Sequence, residues 1–159
     1  MMRFSLIIIL VLAVMSLQAQ DKKRAFSPSI GYVRKLDSFV RNPNGVHIGI
    51  NMYRKNARRF SSDVQLSASL TGNRINTFAG INALFGVRYY FMSDEKTIRL
   101  FTNLMAGAAF TSESGGDFIE NIFRPGYSLG LYLEINDIVF GTAIESPENF
   151  FVKVGYVLR

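Results

Sequence analysis

The chain has 159 residues, is 48% hydrophobic and carries a formal charge of +6, which suits one folded domain and is too apolar for a disordered tail. It has no cysteine, so a disulfide framework, a thiolate metal centre and an acylated-cysteine anchor are excluded. The basic residues are scattered rather than striped along a helix, so no nucleic-acid partner is expected.

In chain order, the first element is a leader. Met1 and Arg3 make a short positive start, Leu6 to Val14 is unbroken apolar sequence, and SLQAQ supplies small and polar residues before DKKR. This is the pattern of a secretory signal peptide over residues 1–20, cut near Ala19 or Gln20. The apolar run is shorter than the roughly 20 residues a spanning helix needs. Residues 21–159 are then the exported domain.

From residue 25 onward, period two prevails. Phe26, Pro28, Ile30 and Tyr32 alternate with Ser27, Ser29, Gly31 and Val33, and Val46, Ile48, Ile50 and Met52 alternate with His47, Gly49, Asn51 and Tyr53. Val64, Leu66, Ala68 and Leu70 alternate with Asp63, Gln65, Ser67 and Ser69. In AGINALFGVRYYF, Ala79, Ile81, Ala83, Phe85, Val87, Tyr89 and Phe91 share one face, and Arg88 falls on the other with Gly80, Asn82, Leu84, Gly86 and Tyr90. Leu129, Leu131 and Leu133 alternate with Gly130, Tyr132 and Glu134. The pattern predicts strands at roughly 25–35, 45–55, 60–71, 77–91, 97–110, 125–135, 138–146 and 149–158.

Most of these runs are near the length that a tilted strand needs to cross a bilayer. DSFVRNPNG, TGNRIN, TSESGGDFIENIFR and SPE follow the odd-numbered strands and include the longest connections, while RKNAR, MSDEK and ND follow the even-numbered ones. An even strand count with that alternation describes an all-β, eight-stranded antiparallel up-and-down transmembrane β-barrel, its longer connections outside and its short turns in the periplasm. The polar face is rich in Gly, Ser and Asn and poor in charge, which suits a crowded lumen; a soluble lipocalin-like barrel would show lysine and glutamate to water there. Aromatic residues at strand ends form two girdles: Phe26, Phe60, Phe91 and Tyr156 at one rim, Phe78, Phe110, Tyr127 and Phe150 at the other. Phe78 is out of phase with its strand, so either a bulge or a misplaced strand start is expected there.

On these strands and girdles the chain resembles the small outer-membrane β-barrel family that includes OmpX and the membrane domain of OmpA. The last strand, FFVKVGYVLR, carries Lys153, Gly155 and Leu158 in the spacing of that family's terminal assembly signal, with Arg159 in place of the usual final aromatic. The resemblance implies residence in the outer membrane of a Gram-negative envelope, contact with outer-membrane lipid and insertion by the barrel assembly machinery. It implies no cofactor.

Few residues carry chemistry. His47 is the only histidine, so a multi-histidine zinc site is excluded and no metal is expected. Lipid-modifying enzymes on such barrels use a histidine near the outer rim with a serine or acid, but VHIGI places Gly49 where the deacylase pattern has serine, so no catalytic residue is assigned. Arg88 and Arg99 flank the MSDEK turn and would repel one another on facing positions, so the inward acids Asp63 and Glu134 are expected to join them in a charge cluster that closes the lumen. The longest connection, Thr111 to Arg124, joins the acids Glu113, Asp117 and Glu120 to the apolar Phe118, Ile119, Ile122 and Phe123. Exposed apolar groups of this kind mark contact sites, and the acids favour a protein or cationic surface partner over anionic lipid. The same DFIENIF segment would serve equally to lengthen the fifth and sixth strands or to cap the barrel mouth with a short helical turn. The expected role is non-enzymatic, structural and surface-interacting; a narrow conduit or apolar-ligand barrel is the alternative, ahead of a lipid-modifying enzyme.

Overall fold

The computed structural model describes residues 24–36, 43–54, 59–72, 76–91, 97–115, 118–146 and 149–158; the leader at 1–20 lies outside the described residues. Eight strands follow in order: β1 (Arg24–Lys35), β2 (Asn44–Arg54), β3 (Phe60–Gly72), β4 (Asn76–Tyr90), β5 (Ile98–Gly115), β6 (Phe118–Ile135), β7 (Ile138–Glu145) and β8 (Asn149–Tyr156). Each pairs antiparallel with the next, and β8 closes on β1 from Ser29 opposite Gly155 to Lys35 opposite Asn149.

The period-two pattern becomes an inside and an outside. Ile30, Ile48, Leu70, Phe85, Leu104, Leu129 and Val152 all stand exposed on the outer surface, while Asp63, Gln65, Ser67, Arg88, Asn103 and Ser128 are buried within. Charged outward positions are confined to strand ends, at Arg24, Arg34 and Arg54. An apolar surface this continuous is one that lipid covers and water does not tolerate. The lipocalin arrangement, apolar inside and polar outside, is the reverse of what the burial shows.

One row of paired residues gives the barrel its geometry. Starting at Leu133, partners run through Phe140, Val154, Ile30, Ile48, Ala68, Ile81 and Phe110 to Phe123. The circuit returns to β6 displaced from 133 to 123, a shear of ten residues. With ordinary strand spacing this sets a tilt of about 40°, so the row climbs as it circles. Ile81 therefore lies near the rim opposite the termini although it sits in mid-strand. Phe85 and Leu129 occupy middle heights.

Of the two readings of the connection from Thr111 to Arg124, the structure has the lengthened strands: β5 runs to Gly115 and β6 begins at Phe118, paired throughout. The alternation of small and apolar residues here extends a hairpin rather than a loop. Phe78 causes no bulge, for the β3–β4 ladder passes from Ala79 through Phe78 to Thr77 without a break. Its ring turns inward and is buried, so it belongs to the lumen rather than to the aromatic girdle. At the tight turn between β6 and β7, Asn136 takes a φ of 55°, a left-handed conformation that asparagine tolerates better than most residues.

Candidate functional site

The inward faces bring together two polar clusters and, at the rim away from the termini, a projecting ribbon. In the first cluster, Asp63 of β3 accepts two hydrogen bonds at Oδ2 from Arg88 of β4, 3.0 Å from Nε and 2.8 Å from Nη2. The guanidinium lies 3.5 Å from the centroid of the Tyr53 ring and 4.2 Å from that of Phe101. Asp63 is 0% and Arg88 2% exposed, so the pair is charge-assisted, stacked and out of water. Asn51 donates to Asp63 Oδ1 at 3.1 Å and accepts from Lys153 Nζ at 3.3 Å. Asp63 and Arg88 lie toward the end that carries the termini.

Arg99 and Glu134, the other two members expected here, occupy directly paired positions on β5 and β6. Glu134 is buried and close enough to Tyr53 and Tyr90 to act on both electrostatically. The guanidinium of Arg99 lies 6.0 Å from the Tyr90 ring centroid. The two arginines do not face one another as the turn length suggested. Arg88 opposes Asn103 because the β4–β5 hairpin, which pairs Tyr90 with Phe101, is centred further along the chain than the MSDEK spacing implied.

A second cluster escaped the sequence reading. Glu145, the last residue of β7, accepts from Gln65 Nε2 at 2.6 Å, from Asn82 Nδ2 at 2.6 Å and from Ser67 Oγ. His47 Nε2 lies 3.6 Å from Oε2, the oxygen that also accepts from Gln65, and the imidazole stacks on Phe151 with centroids 4.2 Å apart. The inward parity of each residue was legible, but β3 and β7 meet only across the lumen. No neighbour-strand pattern signals such a contact. Asn51 Nδ2 also reaches Gln65 Oε1 at 3.3 Å, which links the two clusters into one network.

Aromatic rings fill what the polar groups leave. Tyr132 stacks on Phe101 at 5.1 Å and lies flat against β6 and β7, where a Cβ on Gly130 or Gly141 would fall inside its ring. Glycine at those two positions is the condition for the tyrosine to fold inward. A cavity of about 10 Å³ remains, lined by residues including Asn51, Arg88, Phe101, Asn103, Tyr132 and Lys153.

At the far rim the β5–β6 hairpin projects. Glu113 and Glu120 are directly paired on its inner face and line an open hollow of about 130 Å³ with Lys35, Phe78, Arg124 and Asn149. Lys35 Nζ stands 3.7 Å over the Phe78 ring centroid, and Arg124 Nη2 donates to Thr111 Oγ1 at 3.3 Å. Ile122 is partly exposed and Phe123 is 74% exposed. Phe118 and Ile119 belong to the β6 backbone, and Asp117 lies outside the described residues.

No family model and no curated protein matches the chain. Solved structures do. Ail, the attachment invasion locus protein of Yersinia pestis, aligns with a TM-score of 0.52 at 17% identity, over 86% of this chain and 99% of that one. Neisserial surface protein A aligns with a TM-score of 0.64 at 7% identity, over 86% and 97%. The chain has the fold of the small eight-stranded outer-membrane barrels. The outer membrane enzyme PagL also shares it, with a TM-score of 0.50 at 13% identity over 85% of this chain and 99% of that one. A fold that carries both an attachment invasion locus protein and an enzyme leaves activity to the side chains. In this lumen Glu145 stands between Ser67 and His47, the reverse of the order that activates a serine, in which the histidine lies between nucleophile and acid.

Proposed function

We propose that this chain is a non-enzymatic integral outer-membrane protein whose closed barrel anchors the β5–β6 ribbon at the cell surface as a contact element. The observation that carries the reading is the filled lumen: with Asp63, Arg88, Gln65, Glu145 and the Tyr53, Phe101 and Tyr132 rings in place, the 10 Å³ left at the first cluster suits about one water. In this reading the packing of the described residues denies ions and solutes a route, and the barrel acts through its rims. Outer-membrane barrels keep their short turns in the periplasm, which puts the two-residue β6–β7 turn and both ends of the described chain inside and the projecting ribbon outside. Residues 1–20 direct export in this reading.

Two measurements test it together. Purified protein in planar bilayers is expected to give no sustained conductance; porin-like current would sink the closed-lumen account. Replacement of residues 118–123 by a Gly/Ser segment is expected to leave folding intact, read as the heat-dependent shift in gel migration, while removing capture of envelope or host proteins. Unchanged capture would move the contact surface to the connection between β1 and β2.

A further inference from the structure

Backbone pairing is uneven along the ribbon. β5 has a neighbour on both sides to its last residue, for Gly115 pairs with Asn76 of β4 and with Phe118 of β6. β7 joins β6 only at Ser128, opposite Glu145, so 118–127 lacks a second ladder among the described residues. The last contacts on that side run from Ser146 N to the Tyr127 carbonyl at 2.9 Å and from Ser146 Oγ to the Pro125 carbonyl at 3.3 Å. Odd-numbered residues of β6 therefore direct their peptide groups toward the β7 side. Even-numbered ones face β5, as Thr111 Oγ1 on the Ile122 carbonyl at 3.4 Å and Thr102 Oγ1 on the Gly130 carbonyl at 2.7 Å require.

Asn121 and Phe123 thus present amide and carbonyl groups to an open edge. Pro125, with no N–H to offer, stands at its foot, where proline is tolerated in a sheet. Phe123, at 74%, is more exposed than any other large apolar side chain described. The ten residues from Ile135 up to Gly126, on a strand tilted by about 40°, rise about 25 Å and so fill the apolar band. The open edge stands clear of it. Natural proteins usually blunt such an edge unless it is used.

We propose that the β6 edge at 118–125 takes an extended segment of a partner protein as an added strand, with a basic residue against Glu120 and an apolar one against Ile122. The inference rests on the ribbon being the contact surface and specifies how it binds. Main-chain bonds to Asn121 and Phe123 supply the grip and the side-chain register supplies the choice. Glu113 and Glu120 oppose one another directly, and with Lys35 and Arg124 lining the same hollow they leave room for a further cation alongside Glu120. Arg124, two residues on, favours an acid in the incoming strand. A second copy in the same membrane does not fit, because antiparallel pairing of two such edges needs a two-fold axis lying in the membrane plane, which inverts one barrel.

The test uses the full chain in lipid nanodiscs and a synthetic peptide containing Glu-Val-Val-Thr-Lys, which in antiparallel register sets its lysine against Glu120 and its glutamate against Arg124. Binding is expected to slow amide exchange at Asn121 and Phe123 by at least about tenfold. N-methylation of the first valine, opposite Phe123, is expected to weaken binding by about tenfold or more, while N-methylation of the second, whose N–H points away, changes it by less than about twofold. Glu120→Lys, checked for folding by heat-dependent migration, is expected to weaken it to a similar degree. Absent binding, equal sensitivity to both methylations, or unprotected amides would overturn strand addition. If strand addition fails in one of the last two ways while Phe123→Ser still abolishes binding, the ribbon remains a contact surface that works through side chains; a peptide indifferent to Phe123→Ser and Glu120→Lys removes both readings.

Discussion

The Asp63 and Arg88 side chains pair directly out of water, with Asn51 and two aromatic rings completing their surroundings. Asp63→Ala leaves the guanidinium buried without its counter-charge and is expected to destabilise the barrel by about 3 to 5 kcal/mol, read from urea unfolding in micelles. Adding Arg88→Met is expected to recover much of that loss, because the cost is the stranded charge rather than the missing contact. A loss below about 1 kcal/mol for Asp63→Ala would mean that water reaches the pair. Glu145→Gln sets an amide donor among the Gln65, Ser67 and Asn82 donors, so about 1 to 3 kcal/mol of destabilisation is expected in the same assay. Gly141→Ala pushes on the Tyr132 ring, and the expected result is a loss of about 1 to 3 kcal/mol with altered tyrosine near-UV dichroism. The inward direction of Asp63, Arg88, Glu134 and His47 was legible from alternation. The Asp63–Arg88 contact joins neighbouring strands. Glu145 meeting Gln65, Ser67 and Asn82 was not legible, because it spans the lumen between strands that share no backbone ladder.

At the scale of the strand, tilt decides what a substitution costs. Phe85 and Leu129 stand at middle heights of the lipid-facing surface, and arginine at either is expected to cost about 2 to 4 kcal/mol. Ile81 is equally central in its sequence run, yet its row leads through Phe110 to Phe123 at the rim. Ile81→Arg is therefore expected to cost no more than about 1 kcal/mol, measured as unfolding in lipid vesicles. Equal costs at Ile81 and Phe85 would show that the row does not climb as the pairing implies. The strand cores at 25–35, 45–55 and 60–71 were readable to within a residue or so, since alternation persists to their ends. β5 and β6 outran their expected ends at 110 and 125 because glycine, serine and acidic residues, poor strand formers in isolation, pair there against one another and against β4.

Closure belongs to the whole molecule. Among the described residues the eight strands pair in a closed ring, so the backbone groups along the ladders meet a neighbour on either side, as a sheet that crosses hydrocarbon requires. The folded chain is expected to migrate on a gel differently from the boiled one after extraction from membranes, and a single migration under both conditions would contradict a closed barrel. Replacement of residues 118–123 by Gly/Ser is expected to leave that shift in place, since the transmembrane rows from Tyr127 downward pair without the ribbon.

Alternation of apolar and polar residues by itself determined the number of strands, their inward and outward faces, and the apolar outer surface. Side chains on successive strand residues point to opposite sides, so one dimension of sequence already encodes two faces. The tertiary structure alone decided which strands meet across the lumen, that ten residues of shear carry Ile81 to the rim, and that a connection rich in Gly, Ser and Glu is paired ribbon with one edge open among the described residues. Those features depend on closing the sheet. Closure sets register and tilt around the full circuit, and no single strand contains that information.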